Sequence, residues 1–132
     1  MTDTLVLTLP NEPRFFAVVR LVLGGFASQC DLPYELMDDL QLAVETVLAR
    51  AGADGEAFTL RIAPREHGIT VLLRPIDETA LSERRTDGTA GSGLGLRQIL
   101  SALVTTAEVV SFAGERWLGI EQHIPSRGAA SR

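Results

Sequence analysis

The chain has 132 residues, which is enough for one domain and too few for two domains of ordinary size. Hydrophobic residues make up 45% of it and charged residues 22%, a globular composition that excludes the disordered and fibrous classes. The net charge of −5 disfavours nucleic-acid binding, because phosphate backbones are held by positively charged surfaces. We therefore expect protein or small-molecule partners and no direct contact with nucleic acid.

Several residue types are scarce or absent, and this excludes several kinds of chemistry. No apolar run reaches the roughly 20 residues of a membrane span, and the start lacks the basic segment of a secretion signal, so we expect a cytoplasmic protein without membrane contact. Cys30 is the sole cysteine, and His67 and His123 lack the spacing of zinc ligands. All basic residues are arginines, which excludes a Schiff-base lysine and a P-loop. We predict no metal held by protein ligands alone.

The first half of the sequence predicts one strand followed by two helices. Apolar and polar residues alternate up to Pro10, and Asn11 is expected to cap a helix with Pro13 in its first turn. The apolar face of this helix is predicted to consist of Phe15, Val18, Val19, Val22 and Phe26. A second, longer helix ends at Gly52, and its predicted buried stripe consists of Leu36, Leu40, Ala43, Val47 and Ala51.

The second half predicts two hairpins separated by a polar segment and a helix. Residues 58–62 and 69–73 alternate in polarity and form the first hairpin around a turn at residues 64–68. Residues 75–92 lose the hydrophobic pattern, as functional lids often do. Strands around residues 108–112 and 117–124, joined at Ala113 and Gly114, form the second hairpin. They follow a helix with an apolar stripe of Leu96, Ile99, Leu100 and Leu103.

The order of these elements predicts an α+β fold. We expect a two-layer α/β sandwich, in which a mostly antiparallel mixed sheet is covered on one face by three helices. We expect one domain over residues 1–125 and a flexible tail over residues 126–132. The residues expected to bury against the sheet are Phe15, Leu36, Leu40, Val47, Ile99 and Leu103.

Residues 91–96, GSGLGL, are the strongest candidate for a binding site. Glycines allow a backbone to approach a ligand closely, and a helix that begins among them presents N–H groups and a positive dipole end to phosphate. The spacing does not fit a dinucleotide-binding fingerprint, and a polar segment rather than a strand precedes it. A flexible hinge without a ligand is the alternative interpretation.

Together with the polar segment before it, this segment resembles the second glycine box of the histidine-kinase-like (GHKL) ATPases. The order of elements is similar to that of the short, single-domain anti-sigma-factor serine kinases of that family. Residues 39–51, DLQLAVETVLARA, resemble the family's N-box helix, D-L-x-L-A-V-x-E-x-x-x-N-A. The resemblance covers nearly the whole chain up to Ile124 and implies the Bergerat ATPase fold.

Two positions of the N-box depart from the family pattern. The family has a glutamate that orients or deprotonates the attacking group and an asparagine that holds magnesium, where this chain has Thr46 and Arg50. Threonine cannot act as a carboxylate base, and arginine repels a divalent cation. Glu45 is turned by about 100° along the helix and is expected to be a solvated side chain that faces elsewhere. Arg50 is either a fixed cation near the triphosphate or a salt-bridge partner of a loop acid such as Asp77.

The family's first glycine box is altered as well. In place of D-x-G-x-G the chain has RPIDE at residues 74–78, where Asp77 either recognises adenine or is a turn aspartate. We assign no catalytic residue. The candidate nucleotide-binding residues are Gly91, Ser92, Gly93, Leu94, Gly95, Leu96, Arg50, Thr46 and Asp77.

The resemblance also implies a function. We expect a regulator that sequesters a sigma factor, is relieved by a STAS-type antagonist and forms a homodimer. Trp117 is expected to pack in the core or in a dimer contact rather than against a nucleobase. ATP or ADP is the implied cofactor, bound weakly and without magnesium. The alternatives are an active protein serine kinase that phosphorylates such an antagonist, and a ligand-sensing module that kept only the fold.

Overall fold

Five strands form one sheet, and every neighbouring pair in it is antiparallel. The computed structural model describes residues 4–52, 55–82 and 95–125. Within them the strands lie in the order β1-β2-β3-β5-β4. Their bounds are β1 (Leu5–Pro10), β2 (Ala57–Arg65), β3 (Gly68–Arg74), β4 (Thr106–Phe112) and β5 (Glu115–His123). The two hairpins predicted from the alternating pattern are therefore confirmed.

The helices pack on one face of this sheet. A 3-10 turn (Pro13–Phe15) leads into α1 (Phe16–Gln29), which is followed by α2 (Tyr34–Ala51), α3 (Glu78–Ser82) and α4 (Leu96–Leu103). The prediction of an α+β two-layer sandwich is confirmed. The short helix α3 was not expected, because five residues are too few to show a repeating apolar pattern.

The expectation of a mostly antiparallel sheet is confirmed, and the helices explain why every described pair is antiparallel rather than some being parallel, as in a mixed sheet. Helices α1 and α2 lie antiparallel between β1 and β2 and return the chain to the end of the sheet that it left. The next strand therefore runs in the opposite direction. Strands β3 and β4 run in the same direction, but β5 lies between them.

The core lies between the two layers and follows the alternation of the strands. Across the sheet, Leu7 lies opposite Leu60, Leu60 opposite Leu73, and Leu73 opposite Leu118. The last three of these side chains are fully buried. Helix α2 contributes the buried side chains that its spacing predicted, namely Leu40, Ala43, Val47 and Ala51.

The face that α1 turns to the core overlaps the predicted one only in part: Val19 is buried and Val22 and Phe26 pack against the core, as predicted. Its buried residues are Val19, Leu23 and Ala27, whereas Val18 is exposed and Phe15 lies half-buried in the 3-10 turn. The helix is apolar on most sides, so the spacing of its apolar residues was compatible with more than one stripe. Among the other residues expected in the core, those that remain half-buried are Leu36, Ile99 and Leu103.

Asn11 does not cap a helix as predicted, because its side chain is buried beneath α2. Its Nδ2 donates a hydrogen bond to the carbonyl oxygen of Leu48 at 3.0 Å. Its backbone N–H donates to Glu56, and its carbonyl oxygen accepts from Gly55. A Cβ at Gly52 would collide with Asn11 Nδ2, so glycine is required there. Asn11 thus joins the end of β1 to the end of α2.

Both hairpins close through two-residue turns. The turn between β2 and β3 consists of Glu66 and His67 and is shorter than predicted, because Pro64 lies within β2. The turn between β4 and β5 consists of Ala113 and Gly114, as predicted. Their φ angles are 54° and 79°, which matches the left-handed backbone of the turn type that suits tight hairpins.

Two regions of interest fall outside the described residues: the tail predicted at residues 126–132, and residues 91–94 of the glycine segment. In the part of the chain that the structure describes, no helix is long and apolar enough to cross a membrane.

Truncation of Leu40 tests the packing of α2 against the sheet. Leu40→Ala is expected to lower the free energy of unfolding by about 2–5 kcal/mol, because a fully buried leucine leaves a cavity. Leu42→Ala on the same helix is the control, since Leu42 is 50% exposed and should change stability by less than about 0.5 kcal/mol. Urea unfolding followed by circular dichroism measures both. Equal losses in the two variants would contradict this packing.

Candidate functional site

Three helices meet where the sequence places the candidate site. The backbone N–H of Asp77 donates to the carbonyl oxygen of Ala51 at 2.8 Å, which fixes the start of α3 beside the end of α2. Leu81 of α3 is buried together with Leu96 and Leu100 of α4. Helix α2 also packs along α4. The structure therefore brings the last turn of α2, the cap of α3 and the first turn of α4 together.

Thr46 and Arg50 occupy the N-box positions on α2. The hydroxyl of Thr46 donates a hydrogen bond to the carbonyl oxygen of Leu42, one turn earlier, at 2.7 Å. This bond engages the hydroxyl proton within its own helix. Arg50 lies in the last turn of α2, and its side chain is exposed. Neither residue provides a carboxylate or an amide oxygen, so these two positions lack the glutamate base and the asparagine magnesium ligand of the N-box pattern.

Glu45 faces α1, away from the other candidate residues. Its two carboxylate oxygens accept hydrogen bonds from Nε and Nη2 of Arg20, at 2.7 and 2.8 Å. The hydrogen bond and the charge of Glu45 raise the pKa of Arg20 above its ordinary value. Gln41 Nε2 donates to the carbonyl oxygen of Arg20 and strengthens this contact between helices. The expectation of a solvated glutamate is wrong, but the expectation that it faces elsewhere is confirmed.

Asp77 acts as the N-terminal cap of α3. Its Oδ1 accepts hydrogen bonds from the backbone N–H groups of Thr79 and Ala80, at 3.0 and 3.3 Å. Capping by an aspartate satisfies donors that a helix start leaves without partners. Of the two roles left open for Asp77, this geometry fits the turn aspartate.

Helix α3 is also tied to the sheet by an ion pair. Nε and Nη2 of Arg116 on β5 donate to the two carboxylate oxygens of Glu78, at 2.7 and 2.8 Å. The hydrogen bond from Arg116 lowers the pKa of Glu78 below its ordinary value. The segment that replaces the first glycine box is therefore held to α2 through Asp77 and to β5 through Glu78.

Gly95 and Leu96 are the two residues of the glycine segment that the structure describes. Gly95 precedes the first residue of α4, and its N–H donates to Gln98 Oε1 at 2.9 Å. Leu96 is buried and anchors the helix start to the core. The candidates Gly91, Ser92, Gly93 and Leu94 lie outside the described residues.

The described residues of this site are better suited to a phosphate group than to a metal ion. The first turn of α4 presents backbone N–H groups, which suit an anion. The facing positions on α2 offer a hydroxyl that is already bonded and a guanidinium, and these suit phosphate better than a metal ion. Within residues 4–52, 55–82 and 95–125, no three His, Cys, Asp or Glu side chains are grouped so as to hold a metal.

Two clefts lie on the described surface, and the smaller of them adjoins the first turn of α4. The larger, of about 700 Å³, lies at the turn between β2 and β3, and its lining includes Arg65, His67 and His123. The smaller, of about 360 Å³, lies between α4 and the start of β4. It is lined by Arg97, Gln98, Leu100, Ser101, Thr105, Thr106 and Ala107.

Trp117 packs on the face of the sheet that the helices do not cover. Its Nε1 donates to the carbonyl oxygen of Phe112 at 3.2 Å, and the two rings meet edge to face with centroids 6.1 Å apart. The guanidinium of Arg74 lies 5.7 Å from the Trp117 ring. Trp117 is therefore buried in a separate cluster and not in the main core. No local pattern indicates the contact with Arg74, because Arg74 and Trp117 are distant in sequence.

A charge-removing variant tests the ion pair that holds α3. Arg116→Gln is expected to raise the pKa of Glu78 towards its ordinary value, because the charged hydrogen-bond donor is lost. The pair therefore stabilises the fold above the ordinary titration range of glutamate, and this contribution is lost as pH falls through the lowered pKa. NMR titration of the Glu78 side chain measures the shift. Arg14→Gln, which removes a pair with Glu12, is the control and should leave Glu78 unchanged.

Comparison with known proteins finds partial similarity to one kind of protein. No family model matches the chain. It is 35% identical over 51 residues to the serine-protein kinase RsbW of Listeria monocytogenes serotype 4a (strain HCC23), which is 39% of this chain and 32% of that protein. It is 33% identical over 60 residues to the serine-protein kinase RsbW of Bacillus pumilus (strain SAFR-032), or 41% of this chain and 37% of that protein. The chain thus spans about a third of the length of the curated relatives that it matches.

Proposed function

We propose that the chain is a regulator of the anti-sigma-factor type, which binds a sigma factor or a STAS-type antagonist in the cytoplasm and transfers no phosphoryl group. Two findings support the choice of class: the partial similarity to RsbW proteins, and the α+β sandwich that the resemblance implied. We infer the absence of phosphoryl transfer from the side chains on the polar face of α2.

Helix α2 lacks the groups that phosphoryl transfer requires at its N-box positions. Transfer depends on neutralising the charge of the moving phosphoryl group, usually with a metal ion, and on orienting the nucleophile. The Thr46 hydroxyl is bonded within its own helix, and Arg50 has no atom that ligates a metal ion. The neighbouring carboxylate of Glu45 is held by Arg20 on the far side. These contacts favour a binding protein over a catalyst.

ATP or ADP is the proposed ligand of the site at the start of α4. The glycine segment and the N–H groups of α4 would hold the phosphates, and Arg50 would add a fixed positive charge at the end of α2. Without a metal ligand at position 50, we expect this binding to be weak.

Exposed apolar side chains on the helical layer support a protein partner. Leu21 of α1 is 77% exposed, Tyr34 at the start of α2 is 73% exposed, and Leu42 of α2 is 50% exposed. Apolar and aromatic side chains that project from a surface in this way are frequent at protein interfaces. We infer that the sigma factor or antagonist contacts the outer surface of α1 and α2. A homodimer is part of the same proposal. It would form through the sheet, because the partner would contact the helices.

An active protein serine kinase is the second candidate, because the relatives with partial similarity carry that name. This candidate requires an orienting group from outside the N-box positions. The loss of a base alone lowers rates by about 10²–10⁴-fold. A phosphorylation assay therefore distinguishes the two candidates.

Calorimetric titration tests the nucleotide site. Wild-type protein is expected to bind ATP or ADP weakly and with the same affinity with or without magnesium, because Arg50 takes the place of the metal ligand. Gly93→Val is expected to abolish the heat of binding, since the phosphates require close backbone approach. Gly25→Val, at a helix position with open space around it, is the control. Affinity that falls strongly on addition of a chelator would contradict the proposal.

An assay with radiolabelled ATP and purified sigma factors and STAS proteins from the same genome tests the function. We expect a stable complex with at least one of them on size-exclusion chromatography and no phosphoserine on any, because the N-box groups are missing. Stoichiometric phosphoserine would establish the kinase instead.

Two variants serve as controls for this assay. Leu21→Asp is expected to weaken the complex at least about tenfold without a change in melting temperature, because Leu21 is exposed and packs against nothing in the core. Thr46→Glu combined with Arg50→Asn restores the family pattern and is expected to improve magnesium binding. A complex that is unaffected by Leu21→Asp would remove α1 from the proposed partner surface.

A further inference from the structure

Strand β4 lies at one edge of the sheet, and within the described residues no further strand pairs with its outer side. Proteins usually protect such edges with proline, lysine or several charges. The opposite edge strand, β1, ends in Pro10. Strand β4 has no proline, and Glu108 is its one charged residue. Its seven residues thus form an edge that is open to pairing with another strand.

The turn after β4 shows which backbone groups point outward. Phe112 of β4 and Glu115 of β5 flank the two-residue turn, and two residues in these positions are hydrogen-bonded to each other. Inward and outward groups alternate along the strand from there. The N–H and C=O groups of Ala107, Val109 and Ser111 therefore point away from β5.

We propose that this edge pairs with β4 of a second copy of the chain, antiparallel and around a two-fold axis at Val110. The proposal deepens the homodimer of the proposed function by naming its surface, and it rests on that function for the expectation that the chain dimerises. Around this axis Val109 pairs with Ser111 of the second copy, through the outward groups of both. The two sheets then form a continuous ten-stranded sheet.

Charge complementarity favours this register over one with its axis at Glu108. The guanidinium of Arg61 lies 4.7 Å from the centre of the Phe112 ring. Around Val110, Glu108 of the second copy lies directly opposite Phe112 and thus within reach of Arg61. Among the described residues, neither Arg61 nor Glu108 forms an ion pair within its own chain. An axis at Glu108 would instead place two like charges opposite each other, which is unfavourable.

The cleft between α4 and β4 fits the same arrangement. In this register Thr106 lies opposite Gly114 of the second copy, and Ala107 lies opposite Ala113. The small, exposed turn of one copy therefore meets the cleft of about 360 Å³ in the other, which Thr106 and Ala107 line. The contact occurs twice by symmetry.

Sedimentation equilibrium of the full chain, without nucleotide or partner, tests the proposal. We expect a monomer–dimer equilibrium in the wild type and an increase in its dissociation constant on the order of tenfold in Ser111→Pro, which removes an outward N–H from both copies. Ser111→Ala retains this N–H and is the matched control. A monomer at all concentrations, or equal dimerisation of the two variants, would overturn the proposal.

A charge exchange tests the register without altering the backbone. Glu108→Arg and Arg61→Glu are each expected to weaken the dimer, and the double variant is expected to restore it, because the opposite charges are again paired. If the double variant did not regain dimerisation, this register would be wrong.

Disulfide cross-linking locates the axis directly. In a Cys30→Ser background, Val110→Cys is expected to form a covalent dimer on oxidation, since position 110 meets itself at a closely spaced pair. Val6→Cys on the opposite edge is the control and should remain monomeric. A dimer that forms through another surface, or an edge that pairs only with the sigma factor or antagonist, would give no cross-link at position 110 and overturn the proposal. Partner binding without dimerisation would leave the proposed regulatory function intact.

Discussion

The buried amide of Gln122 on β5 joins two helices of the helical layer to the sheet. Its Nε2 donates to the carbonyl oxygens of Leu36 in α2 and Leu103 in α4, at 3.1 and 3.0 Å. Its Oε1 accepts from the backbone N–H and the hydroxyl of Thr105 at the start of β4. Every hydrogen-bonding group of the amide is thus used in an environment that excludes water. These bonds hold the start of α2 and the end of α4, whereas the candidate site lies at the other end of each helix.

Helix α2 links the stability of the fold to the chemistry of the site. Its apolar stripe is buried against the sheet, and this fixes the rotation of the helix. The same rotation turns Glu45 towards Arg20 on α1 and leaves Arg50 exposed near Asp77. A change of chemistry at the site therefore needs substitution at positions 46 and 50 and leaves the packed stripe unaltered. A binding protein and a kinase can share the same core for this reason.

The surfaces that the proposals use lie on different parts of the molecule. The partner surface is the outer side of α1 and α2, where Leu21 and Tyr34 project. The dimer surface is the edge of β4, at the far end of the strand order from β1. The face of the sheet opposite the helices is partly covered by its own Trp117 cluster, with Arg74 over the ring. Because these surfaces do not overlap, the proposed partner surface and the proposed dimer surface are compatible with each other.

The sequence by itself determined the order of the strands and of the helices other than α3, the hairpins and the stripe of α2, because these depend on the local repeat of polar and apolar residues. It also determined that positions 46 and 50 lack the family's base and metal ligand, since this depends on residue type alone. The tertiary structure decided which face of the apolar helix α1 is buried, and it placed Asn11 and Gln122 inside. It also paired Glu45 with Arg20 and Glu78 with Arg116. Such contacts join residues that are distant in the chain, and only the packing of complete elements brings them within hydrogen-bond distance.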